Sequence, residues 1–174
     1  MLDLYVYSIK IAGNDLAALS LLPPETVHSH GLPSEAVLGE VNPNQPEMTT
    51  GGFTANGAFL DLLSTIIVKH APDLPSLQKQ AAKVDNGAIY VVDHRNINQG
   101  KKPPYEDVIG WFTMRDGQFV ADSWNNNPQY KLLSNNGPIQ LEAILEEKLL
   151  EAVRAISNNQ DKDNYYPVHP KYPH

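Results

Sequence analysis

The chain has no cysteine. Disulfide staples, thiolate metal ligands and a cysteine nucleophile are therefore excluded. Long apolar runs are missing too. Stretches such as Ile66-Ile67-Val68 fall far short of the roughly 18 to 20 residues that span a bilayer as a helix. Met1-Leu2-Asp3-Leu4-Tyr5-Val6-Tyr7 carries no basic segment ahead of an apolar one, which a secretory signal requires. A soluble, cytoplasmic protein with no membrane partner is the expectation. Positive charge is scarce, with 13 Lys and Arg against 20 Asp and Glu and a formal net charge of −7. Such a field repels a phosphate backbone at long range. The one close basic pair, Lys101-Lys102, beside Pro103-Pro104, is too small for a nucleic-acid footprint. No nucleic-acid partner is expected.

Catalytic signatures are absent as well. There is no Gly-x-Ser-x-Gly elbow, and no Walker or dinucleotide fingerprint follows any glycine pair. No internal repeat appears at solenoid periods.

What is present suits one ordinary domain. Of 174 residues, 41% are apolar, enough for a real core. Residues 2–12 read as a strand, with Gly13-Asn14 as its stop. Asp15 to Leu22 reads as a short helix ended by Pro23-Pro24. From Pro23 to Phe53, Pro33, Pro43, Pro46 and Gly51-Gly52 break any long element. A helix is expected from about Thr54, as N-cap, to Ala71 before Pro72. Its aliphatic residues cover most of the circumference, and Asp61, Thr65 and Lys69 mark one polar edge. A shorter helix follows, Ser76 to Val84.

Ala88-Ile89-Tyr90-Val91-Val92 reads as a buried strand. Asp116-Gly117 is a type I′ hairpin signal that sets Met114 against Phe119, Thr113 against Val120, Phe112 against Ala121 and Trp111 against Asp122. A final amphipathic helix starts near Asn136-Gly137-Pro138 and buries Leu141, Ile144, Leu145, Leu149, Ala152, Val153 and Ile156. The order predicts an α+β fold. It has an antiparallel or mixed sheet of about four to five strands, a central buried helix and a C-terminal amphipathic helix, all in one domain over residues 1–157. Residues 158–174 have little aliphatic surface and are expected to be disordered or docked on a partner.

Three places could carry chemistry. His28-Ser29-His30 puts two imidazoles at i and i+2, a spacing that converges on one metal ion if the segment is extended. The following residues, Gly31-Leu32-Pro33, Leu38 and Val41, supply none of the further ligands that metallohydrolase patterns built on such a pair require. Asp93-His94, at the end of a strand, could complete a zinc or other divalent-metal site if the two loops met. The plain alternative is a turn cap at Asp93 and loop histidines elsewhere. Gly51, Gly52 and Thr54, read as opening a helix, offer backbone donors to an anion, or simply turn geometry. Ile109, Trp111, Val120 and Trp124, on one face of the hairpin, are candidates for an interface or for a core contact.

The reading favoured by these residues is a module without enzymatic activity and without a cofactor, binding another protein or itself as a homo-oligomer. The alternative is a small metal-dependent hydrolase using His28, His30, Asp93 and His94, with metal-bound water as nucleophile.

Overall fold

A computed structural model of the chain describes residues 1–42, 52–159 and 165–173. The fold is α+β, and the described strand pairings are antiparallel. The chain divides into two compact units, Met1–Leu63 with Glu147–His174, and Ser64–Glu146.

The first unit opens with a hairpin of β1 (Tyr5–Ile11) and β2 (Asn14–Ser20), where a helix was expected for the second arm. Ala12 and Gly13 both take positive φ, 49° and 82°, the geometry of a type I′ turn. Cross-strand pairing thus overrides the helical propensity of Leu16-Ala17-Ala18-Leu19. The proline pair begins a helix instead of ending one. In α1 (Pro24–His30) Pro24 occupies the first turn, where a missing N–H costs nothing.

Short β3 (Leu32–Pro33) leads to β4 (Val37–Val41), which pairs with β2, and β5 (Phe53–Ala55) pairs with β4. Thr54 is therefore a strand residue. The helix cap is Asn56, whose Oδ1 accepts from Ala58 N at 3.3 Å while its Nδ2 donates to the Ser34 and Val37 carbonyls. From there α2 (Gly57–His70) runs with Phe59, Leu63, Ile66 and Ile67 buried and Asp61, Thr65 and Lys69 exposed, as the polar spacing required.

The chain's last residues are strands of the same unit: β12 (Tyr165–Tyr166) pairs with β3, and β13 (Val168–Pro173) pairs with β1. This corrects the expectation of a disordered or partner-docked tail for the described part of it. Pairing with a sheet edge satisfies backbone groups without needing aliphatic side chains. Residues 160–164 and 174 lie outside the described residues. The resulting sheet runs β13-β1-β2-β4-β5. Tyr165 covers Gly31, whose φ of 86° and missing Cβ both matter, since a Cβ there would press into the tyrosine ring.

In the second unit α3 (Pro75–Ala81) precedes β6 (Gly87–Val92). The sheet continues into β7 (Val108–Arg115) and β8 (Gln118–Phe119), joined by Asp116-Gly117 with φ of 50° and 73°. Met114 meets Phe119 and Val120 N bonds to Thr113 O, as predicted. Beyond that point the register departs. Asp122 takes φ 53°, Ser123 Oγ accepts from Thr113 N, and Trp111 meets Asn125 of β9 (Asn125–Asn126) in place of Asp122.

Gly137-Pro138 does not start a helix either. It forms β11 (Gly137–Pro138) against β10 (Leu133–Ser134). The last helix, α4 (Ala143–Ser157), buries Leu145, Leu149 and Val153 at helical spacing, while Ile144 is exposed. The units meet in sequence inside α2 and α4. The expected sheet of about five strands is matched by the first unit, and the second unit holds a four-stranded sheet of its own.

Candidate functional site

In the second unit, β6 lies at the end of its sheet, paired only with β7 among the described strands. Two hydrogen bonds set the phase of its backbone. Asp93 N donates to Asp107 O at 2.7 Å and Val120 N to Thr113 O at 2.9 Å. Asp93 therefore faces β7, as do Val91 and Ile89, while Thr113 faces β8. Because backbone groups of successive strand residues point to opposite sides, the N–H and C=O of Ala88, Tyr90 and Val92 point away from β7. His94 continues the alternation and bonds outward, its N donating to Gln140 O at 2.8 Å. The outward groups of Ala88, Tyr90 and Val92 have no partner among the described residues.

A cleft of about 420 Å³ follows this edge. Its apolar lining comes from Tyr90, Val91 and Val92 of β6, from Leu74 and Leu77, and from Leu141 and Leu145. A hollow of about 520 Å³, lined by Tyr90, Val92, Pro103, Tyr105 and Val108, shares Tyr90, Val92 and Pro103 with the cleft. Around them large apolar groups stand in solvent: Tyr90 is 49% exposed, Ile97 55% and Tyr105 50%. The polar lining residues of the cleft are Ser76, Gln80, His94, Asn96, Lys101 and Glu142. Ser76 donates from Oγ to Glu142 Oε2 at 2.6 Å. Lys101 and Lys102 are exposed at the rim and form no ion pair with a described residue.

The segment walling the cleft is held by a buried ionic cluster. The side chains of Arg95, Asp93 and Asp107 are fully enclosed. Arg95 Nε donates to Asp107 Oδ1 at 2.8 Å, Nη1 to Gly137 O at 2.9 Å, and Nη2 to Lys131 O, with Asp93 Oδ2 3.5 Å from Nη2. Asp93 Oδ1 accepts from Arg95 N and Gln140 N, and Oδ2 accepts from the Tyr130 hydroxyl at 2.8 Å. Asn96 Nδ2 donates to Asp107 Oδ2 at 2.6 Å. Burial raises the Asp93 carboxyl above its ordinary range despite the opposing guanidinium and N–H donors. Burial, and then the Asp93 charge, push the Tyr130 hydroxyl well above the usual phenol value. The cluster draws residues 93–107 onto 130–140. Such enclosure fits a structural pin, because every charged oxygen is already engaged.

The residues singled out from sequence fall as follows. His28 and His30 lie in the last turn of α1, both exposed. Positions i and i+2 of a helix project to different sides, so this pair cannot converge as it would on an extended strand. Asp93 is committed to the pin, and His94 lines the cleft. Among the described residues no group of three or more His, Asp or Glu is placed to hold a metal ion. Gly51 lies outside the described residues, and Gly52 and Thr54 belong to a turn and to β5 instead of a helix start, which removes the dipole end on which the anion reading depended.

The hairpin candidates separate. Ile109 is buried at 4% exposure, and Trp111 pairs with Tyr90 at 6.2 Å between centroids. Trp124 instead sits against Phe112 at 4.8 Å, on the face where Gly110 leaves room for its indole. Val120 is half-buried. The register change after Val120 carries Trp124 to the opposite face from Trp111.

Sequence reasoning missed Tyr90, Ile97, Pro103 and Tyr105 as site residues, and Arg95 as their support. The available signal was the alternation of Ile89 and Val91 with Tyr90 and Val92, beside the lysine pair. No helix among the described residues is long and apolar enough to cross a membrane. No protein-family model, curated protein or solved structure matches the chain.

Proposed function

We propose that this chain is a non-enzymatic protein-interaction module, and that the cleft along β6, with Tyr90, Ile97 and Tyr105 around it, is its contact surface. The observation that supports this reading is the concentration of exposed aromatic and aliphatic side chains around a concave, mostly apolar surface. Interface centres are enriched in aromatic residues and depleted of charge, and contiguous exposed apolar surface is uncommon elsewhere on a protein.

The test compares wild-type chain with a Tyr90→Asp/Tyr105→Asp variant. Both residues are about half exposed, so the variant keeps its core. Quantitative capture from cells of the source, with light scattering of each protein alone, is expected to show an association present in the wild type and lost in the variant. Identical association profiles, together with a strict monomer in both, would refute the proposal.

A further inference from the structure

Resting on that reading, we infer that the occupant of the cleft is an extended segment of a partner protein, bearing acidic and apolar side chains, that adds to the sheet as a strand beside β6. Three observations converge on it. First, Ala88, Tyr90 and Val92 present three N–H and three C=O groups outward with no described partner, a row that another strand satisfies directly.

Second, two hollows adjoin that row, and both are lined by Tyr90, Val92 and Pro103. Successive residues of an added strand point to opposite faces of the sheet. One set would enter the cleft between Leu77 and Leu145, and the other would lie over Tyr90 and Pro103 toward Tyr105. Both volumes share Tyr90, Val92 and Pro103, so one extended segment reaches both.

Third, the charge at the rim is opposite to that of the molecule. On a chain of net charge −7, the exposed, unpaired Lys101 and Lys102 stand next to Pro103, which lines both hollows. They attract acidic side chains locally; the carboxylate in the cleft lining, Glu142, accepts from Ser76 Oγ, and the field of the whole chain opposes a general polyanion. A basic segment would face like charge at this rim. Both lysines are exposed, and neither pairs with a described residue.

A random decapeptide library displayed on phage and selected against the full chain tests this. The enriched peptides are expected to alternate apolar residues with Asp or Glu. A synthetic enriched peptide should slow hydrogen exchange at the Ala88, Tyr90 and Val92 amides by about tenfold or more. N-methylation of its backbone at one set of alternate residues should weaken binding about tenfold or more, and at the other set hardly at all. Lys101→Glu/Lys102→Glu should also weaken it about tenfold, with the difference shrinking in high salt.

Peptides that compete at the cleft but tolerate N-methylation at every position would overturn strand addition while leaving the interaction module standing. So would enrichment of basic or helical peptides. A concentration-dependent dimer that protects the same three amides without peptide would identify a second copy as the occupant and overturn the partner assignment. No enrichment at all would also overturn it. Failure of the module itself shows separately, as unchanged associations in the Tyr90→Asp/Tyr105→Asp variant.

Discussion

Replacing Arg95 with leucine is the sharpest test of how the cleft is held. The guanidinium donates to Asp107, Gly137 O and Lys131 O and lies 3.5 Å from Asp93, all without contact with solvent. Leucine fills much of the volume but leaves two enclosed carboxylates with no countercharge. Removing one partner of a buried ion pair costs about 3–5 kcal/mol. Each orphaned carbonyl adds about 1 kcal/mol net, partly recovered through water and protonation of a carboxyl. About 4 kcal/mol is therefore expected, a large share of the roughly 5–15 kcal/mol that holds a typical domain. Arg95→Lys keeps the charge but loses the planar fork, so it should fall between, at about 2 kcal/mol. Urea unfolding followed by far-ultraviolet circular dichroism measures both. A loss below about 1 kcal/mol for the leucine variant, or equal losses for leucine and lysine, would refute the pin.

Asp93→Asn tests the same cluster through pH. Burial raises the Asp93 carboxyl above 3.8, so folding favours its protonated form; that stabilisation is full below about 3.8 and fades as pH rises through the folded value. Wild type should therefore gain on the asparagine variant as pH falls from 7 toward 3, and a difference in urea midpoints that stays flat with pH would sink the idea. Gly110→Ala places a Cβ against the Asn125 carbonyl, a backbone atom, and against the Trp124 indole, and should cost about 1–3 kcal/mol and alter the near-ultraviolet tryptophan signal; an unchanged spectrum would contradict it. Tyr166 donates to Glu40 at 2.9 Å, and burial, then Glu40, push its hydroxyl up to about 12. Tyr166→Phe should cost about 1 kcal/mol and leave the tyrosine absorbance titration below pH 11 unaltered, and an extra phenol titrating near pH 10 in the wild type alone would count against that bond.

The elements legible from sequence were those whose signal is local. Asp116-Gly117 announced its turn because few residue pairs accept two positive φ values in succession, and the exposure of Asp61, Thr65 and Lys69 follows from helical geometry alone. The failures share a cause, which is partnership at long range. Leu16 to Leu19 is a strand because β1 and β4 flank it, and Thr54 is a strand residue because β4 lies beside it. The tail pairs with segments far earlier in the chain, an event its composition could not disclose. Trp124 was placed on the wrong face because one left-handed residue, Asp122, ended the alternation. The site was half legible. Lys101-Lys102 and the Ala88–Val92 run were both visible, but whether that run is central or terminal in its sheet depends on strand order, and strand order is not written in periodicity.

The terminal position of β6 carries the functional argument. Edge strands are ordinarily blunted by lysine, proline, a bulge or a covering element. Gly87-Ala88-Ile89-Tyr90-Val91-Val92 contains no charged residue and no proline, and its bulge lies on the side of β7, between Val91 and Val92, where it leaves the outward row of donors and acceptors in place. Four of its six residues, Ile89, Tyr90, Val91 and Val92, have high β propensity and none is charged, a composition prone to pair when exposed. The acids at Asp85 and Asp93 bracket the run, but Asp93 is drawn inside by Arg95 and shields nothing. On the proposed reading, a strand edge so lightly protected, next to a cleft, is where a partner segment would add. On the same reading Lys101 and Lys102 would favour acidic side chains in that segment, and the buried Arg95 ties the segment after β6 to Asp107 and Gly137.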